Sequence, residues 1–204
     1  MALARQFEPS RVGGRLREER EKRGISLREL ARRVGVSPSL VSQIELDRVN
    51  PSVSTLYSLV TELGMTMGEV FGDSEPAEPL AHAHDGEGVV ERPDTRRVLN
   101  LASGVRWERL TPHSEGDVEF LHVEYPVGAE SCPADALVTH GGREYGYVTG
   151  GTLGVRVGFD EFALGPGDSI AFDSSSPHRL WTVGGEPVHA IWLVIGRAAD
   201  PRRQ

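Results

Sequence analysis

The sequence predicts an α+β multidomain protein, an N-terminal domain of five helices followed by a C-terminal β-barrel. Three observations predict it. Up to residue 72, apolar residues recur at helical spacing with no strand-like alternation. From residue 89, short β-branched and aromatic runs alternate with Gly, Pro, Asp and Ser clusters, the pattern of a sandwich or barrel. Charge divides at the same place: residues 1–72 hold 11 Lys+Arg and 9 Asp+Glu (+2), and residues 73–204 hold 11 and 21 (−10), which together give the net −8. The predicted boundaries are 1–72 for the helical domain, 73–94 for an acidic, Pro/Gly-rich linker and 95–204 for the barrel.

The helices can be read in order. Val12 and Leu16 start an apolar stripe that Arg20 continues, and a charge on a buried stripe needs a partner. Ser26-Leu27-Arg28-Glu29 reads as a capping box opening a second helix, with Leu27, Leu30, Ala31 and Val34 inward and Gly35 as its left-handed end. Val36 plugs the turn. Ser37 as N-cap and Pro38 as first residue open a third helix, which buries Val41 and Ile44 and leaves Ser39, Ser42 and Gln43 outside. A fourth helix carries Leu56, Leu59, Val60 and Leu63 and stops at Gly64. Thr66-x-x-Glu69 caps a short fifth helix ending near Phe71.

Two short helices joined by Gly-Val-Ser, the second with a thin face of small polar groups, form a helix-turn-helix suited to a major groove. The run from Ser26 to Glu45, followed by Asn50-Pro51-Ser52-Val53-Ser54-Thr55-Leu56, resembles the Xre/lambda-repressor family over residues 10–71. The resemblance implies that Glu45 pairs with Arg20 as a structural, not a DNA-contacting, pair. It puts Ser39 and Gln43 first for base edges, with Ser42 and Arg28 second. Arg48 and Asn50, with the amide end of the second helix, would meet phosphates, and Ser37 joins the DNA-facing set. Leu46-Asp47 departs from the family, which commonly has a small or Gly-containing turn there. Asp47 would repel phosphates unless it points elsewhere.

In the second half the runs Val118–Tyr125, Tyr145–Thr149, Leu153–Phe159, Ser169–Phe172, Leu180–Val183 and Val188–Ile195 read as strands. The stretches from His140 to Gly151 and from Leu164 to His178 resemble the two motifs of the cupin (jelly-roll) barrels. That family's first motif has one histidine more, where this chain has Val138, and its closing Asn position is Thr182. Three of the four usual ligands remain: His140, Glu144 and His178. Two imidazoles and a carboxylate suit non-haem Fe(II), or Zn or Ni; without metal the same groups would recognise a polar effector. Val138 should face the interior without offering a ligand atom.

The remaining features carry blander readings. His82 and His84 sit in the linker as solvated side chains, His113 in a loop, and His122 and His189 on strands as packing or pocket-lining groups. Trp107, Trp181 and Trp192 read as core. Tyr145 and Tyr147 share a strand face that the alternation of Glu144, Gly146 and Val148 places outside. Cys132, the one cysteine, has no adjacent base and no disulfide partner. No signal peptide is legible, and the run Ala190–Ile195 is too short to span a bilayer, so the chain reads as cytoplasmic with no membrane partner.

Two functions compete. The first is a transcriptional regulator, not an enzyme, that binds double-stranded DNA as a homodimer and senses a small-molecule effector or a metal. The second is a mononuclear non-haem iron oxygenase resembling hydroxypropylphosphonate epoxidase, whose helical domain covers the active site with a lysine. The apparent equivalent of that lysine here is Gly24, which favours the regulator.

Overall fold

The computed structural model describes residues 12–72 and 88–196. The five helices are α1 (Val12–Lys22), α2 (Leu27–Val34), α3 (Pro38–Glu45), α4 (Val53–Glu62) and α5 (Met67–Phe71). Their starts follow side-chain chemistry. Ser26, Ser37, Ser52 and Thr66 each accept a hydrogen bond from a first-turn amide. At α5 the capping box is complete. At α2 it is half made, a correction to the sequence reading: Ser26 accepts from Glu29, but the Glu29 carboxylate turns outward to Arg32 and Arg33. Gly35, at φ 77, closes α2 in the left-handed conformation. Leu16, Leu30, Val41, Ile44, Leu56, Leu59 and Leu63 fill the core of this domain. Leu27 and Val34 pack only partly against it.

Nine strands among the described residues form two antiparallel sheets. They are β1 (Val98–Asn100), β2 (Arg106–Arg109), β3 (Val118–Tyr125), β4 (Arg143–Gly150), β5 (Thr152–Val157), β6 (Asp160–Leu164), β7 (Ser169–Asp173), β8 (His178–Val183) and β9 (Val188–Ile195). The larger sheet runs β1-β2-β3-β9-β4-β7, the smaller β6-β5-β8. On β3, β4 and β9 every second residue is buried, so one face of the large sheet points into the barrel.

Three of these strands were not legible in the sequence. β1 is three residues long, β2 reads Arg-Trp-Glu-Arg, and β6 is an edge strand whose five residues bury none fully. Neither length nor alternation marks them. The strand beginning near Leu153 also ends earlier than read, at Val157. Gly158 then turns at φ 61 and leaves Phe159 98% exposed.

The barrel packs on α4 and α5. The Ala102 amide donates to the Pro51 carbonyl at 2.8 Å and the Ser54 amide to the Ser131 carbonyl at 3.3 Å. The Arg109 guanidinium lies over the Phe71 ring, 5.7 Å from its centroid.

Candidate functional site

In the helical domain the residues read as DNA-facing lie on α2, α3 and the turn after it. Ser39, Arg28, Arg48 and Asn50 are exposed, and Ser42 and Gln43 are half-buried. Ser37 is exposed but its hydroxyl is committed to the Leu40 amide at 3.1 Å, which sets the start of α3. Asp47 points away from the outer face. Its Oδ1 accepts from the Gly13 amide at 2.8 Å, so its charge sits at the positive end of α1. Asp47 adopts φ 51, a left-handed conformation that a short polar side chain tolerates. Gly13 is required opposite it: a Cβ there would lie 1.9 Å from the Ile44 carbonyl oxygen.

Arg20 and Glu45 meet behind this face. Arg20 Nε donates to Glu45 Oε1 at 2.6 Å and Nη2 to Oε2 at 2.9 Å, a bidentate pair. Arg20 Nη1 donates to the Ile25 carbonyl at 3.0 Å. The hydrogen bonds it donates to the Glu45 carboxylate hold the guanidinium above its ordinary pKa. The pair ties α1 to α3 and the loop before α2.

In the barrel, His140, Glu144 and His178 converge with their ligand atoms within 4.8 Å of one another. Glu144 enters from β4 and His178 from the start of β8. His140 stands in the loop before β4, and each of the three side chains keeps about 4% of its surface exposed. Both imidazoles are oriented by the backbone. His140 Nδ1 lies 2.9 Å from the Gly141 carbonyl oxygen, and His178 Nδ1 lies 2.9 Å from that of Ser176. A ring nitrogen facing a carbonyl must carry the proton, so in the neutral ring Nε2 keeps a lone pair. Both Nε2 atoms point at one carboxylate oxygen, Glu144 Oε1, at 3.0 and 3.1 Å. Yet His140 Nε2 and Glu144 Oε1 are buried without a properly formed hydrogen bond. Glu144 Oε2 is satisfied: the Trp192 indole N–H donates to it at 2.7 Å.

This electrostatic arrangement fits a cation. Burial works against a charged Glu144, but the two imidazoles outweigh it and hold the carboxyl below the usual carboxylate range. Burial likewise pushes His178 down, and Glu144 outweighs it and draws His178 up. Three converging lone-pair atoms, two with backbone-fixed tautomers and one with an indole donor behind it, form the usual support of a metal-binding set. His140, Glu144 and His178 are the residues that would hold such an ion. A divalent cation would supply Lewis acidity and open positions for an oxygen donor.

Trp192 belongs to the candidate site, which the sequence does not reveal, since a tryptophan on an apolar strand reads as core. It is buried, and it also braces Glu144. The enabling signal is Gly146, two residues past Glu144 on the same face. A Cβ there would lie 2.1 Å from the Trp192 ring, so only glycine lets the indole cross β4. Trp107 is buried too but lines the chamber of the triad. Trp181 is not core: it is half-buried beneath the Arg179 guanidinium, 4.8 Å away. His122 and His189 stack on each other at 5.6 Å on the half-buried outer face of β3 and β9, away from the triad. His113 is exposed in a loop, and His82 and His84 lie outside the described residues. Val138 lines the chamber without a donor atom and exchanges backbone hydrogen bonds with His178. Thr182 spends its hydroxyl on the Tyr125 and Pro126 carbonyls. Cys132 is buried, which pushes its thiol pKa up.

Comparison with known proteins agrees with this division. The helix-turn-helix family matches residues 16–70 and the cupin domain family residues 121–194. The chain is 28% identical over 169 residues to the HTH-type transcriptional regulator PuuR of Escherichia coli (strain K12), covering 82% of this chain and 85% of that one. It is 36% identical over 116 residues to the immunity repressor protein of Bacillus phage phi105, covering 54% of this chain and 78% of the repressor. A solved HTH_3 family transcriptional regulator from Vibrio cholerae has the same fold, with a TM-score of 0.62 at 22% identity over 92% of this chain and 96% of that one.

Proposed function

The chain belongs to the helix-turn-helix family of transcriptional regulators and carries a cupin domain behind its DNA-binding helices, and from that premise we propose that His140, Glu144 and His178 are its sensing site, occupied by a divalent metal with a small effector as further ligand. One observation carries this reading: two imidazole nitrogens and one carboxylate oxygen are aimed at a single buried point, with their ligand atoms within 4.8 Å of one another. Binding there changes operator affinity only in so far as the occupied and empty barrels favour different placements of the helical domain.

On the DNA side, Ser39 and Gln43 read base edges, with Ser42 and Arg28 beside them. Arg48, Asn50 and the Ser37 end of α3 meet the backbone. We read the active form as a homodimer, because two-fold proteins match pseudo-palindromic half-sites about one helical turn apart. The outer face of the β4–β9 pair supports this. Tyr145 and Tyr147 are 40% and 49% exposed and stand in register with Leu193 and Ile191, an apolar stripe suited to self-association. No helix among the described residues is long and apolar enough to cross a membrane, and a DNA partner is met in the cytoplasm.

The triad also resembles that of an iron oxygenase. Gly24, where that oxygenase's helical domain would place its active-site lysine, speaks for the regulator. The test is metal analysis of the purified protein, joined to genome-wide DNA pull-down to find the operator. Operator affinity is then measured with zinc or iron and with chelator. The reading expects bound metal, a metal-dependent change in affinity, loss of both in His178→Ala, and oxygen consumption at background. Iron-dependent turnover with an unresponsive operator would establish the oxygenase instead.

A further inference from the structure

Helix α4 serves three surroundings at once. Leu56, Leu59 and Val60 pack into the helical core. Val53 and Tyr57, one turn apart, are 5% and 7% exposed and line the chamber that holds Glu144 and His178. Ser54, Ser58 and Thr61 line a second, outer cleft of about 260 Å³, together with Thr139 beside the triad and the Arg33–Glu62 ion pair at 2.8 Å. Tyr57 and Val138 border both spaces. The Tyr57 ring lies 4.7 Å from the His140 ring and 5.5 Å from the Trp107 ring. A side chain of the DNA-binding domain therefore stands between the cleft and the metal-binding atoms.

We infer that the cleft between the helical domain and the barrel is the effector's seat, and that Tyr57 is the gate between this seat and the triad. The inference rests on the triad being the sensing site. The cleft offers hydroxyls from Ser54, Ser58, Thr61 and Thr139, and its inner end faces an ion-binding set that needs an oxygen donor. The effector is thus a small polar molecule presenting a hydroxyl or carboxylate oxygen. To reach the triad it must swing Tyr57 off His140. Val53 and Tyr57 are buried side by side in the chamber wall, and the Tyr57 hydroxyl donates to Glu119 Oε2 at 3.5 Å, so opening displaces this whole face of α4. The helix itself must tilt, and α2, packed against α4, moves with it. A ligand with different affinity for the two tilts would thereby act on the DNA-reading face.

The experiment probes access in chelator-treated, metal-free protein with diethyl pyrocarbonate, a small reagent that modifies imidazoles, read by peptide mass mapping with exposed His113 as internal standard. In the wild type His140 and His178 are protected. In Tyr57→Ala they should react many-fold faster relative to His113, while Tyr57→Phe, which keeps the ring, should stay protected. Adding Ser58→Trp to Tyr57→Ala fills the outer cleft from an exposed position and should restore protection. Melting curves verify that each variant is folded. Equal protection in Tyr57→Ala and wild type overturns the gate, and unchanged reactivity in the double variant overturns the cleft as the route. A DNA arm separates this from the sensing reading. If the wild-type operator response to the dialysable fraction of a cell extract persists in Ser58→Trp, the seat is wrong. If the wild type itself gives no response, the sensing reading fails, and the reagent mapping alone judges the gate.

Discussion

Arg20–Glu45 and His140–Glu144–His178 are both clusters of ionisable groups buried in their domains, and they differ in what is left over. In the first, guanidinium and carboxylate meet as a two-pronged fork, and a further guanidinium nitrogen reaches the Ile25 carbonyl. Donors and acceptors match. In the second, two rings spend their donors on backbone carbonyls and aim lone pairs at a carboxylate oxygen. While both rings are neutral, acceptors meet acceptors, and a proton or a cation must come between them. A buried cluster that balances internally holds the fold together. One that does not is shaped to take up a further group.

The largest effect should come from breaking the balanced cluster. Arg20→Met strands the Glu45 carboxylate and should cost about 3 kcal/mol, the low end for a buried pair because Arg20 keeps a little solvent contact. The double variant Arg20→Met, Glu45→Leu should recover much of that in a denaturant titration. A single variant with an unchanged midpoint would remove the distinction between the clusters. The unbalanced cluster should respond differently. Glu144→Gln should abolish metal uptake and cost less stability than Arg20→Met, since it strands no permanently charged guanidinium or carboxylate. A large loss of stability would make this cluster structural too.

Smaller effects sharpen the comparison. Trp192→Phe keeps the ring but removes the donor behind Glu144, and should weaken metal affinity about 10- to 100-fold in a competition titration. Gln43→Ala should lower operator binding by about 1–3 kcal/mol and relax preference at one base pair. Arg48→Ala should weaken all sequences alike and reduce the salt slope by about one. Equal behaviour of the Gln43 and Arg48 variants on specific and random DNA would show that the reading face is misassigned.

The helical domain was almost wholly legible because its signals are local. A cap, a left-handed glycine and a stripe at helical spacing each act within a few residues, and the resemblance carried Arg20 to Glu45. The partners of Glu29 and Asp47 were not legible, since a carboxylate chooses among donors that only packing brings near. In the barrel the long alternating strands were legible and the short or edge strands were not. β1, β2 and β6 are strands because neighbours pair with them, with no pattern of their own.

The two fold classes, the helix-turn-helix and the identity of the three candidate ligands are written in the order of the residues, because motif spacing and periodicity are properties of the chain. Only the tertiary structure decided how the three ligands are completed. It laid the Trp192 indole across Gly146 to brace Glu144, turned His122 and His189 outward, and set Tyr57 of the DNA-binding domain against His140 of the barrel. Those contacts join residues 46, 67 and 83 positions apart, and no local pattern encodes them. They exist because pairing β3, β9 and β4 into one sheet, and seating the second face of α4 against the barrel, remove apolar surface from water, a drive that is blind to sequence distance.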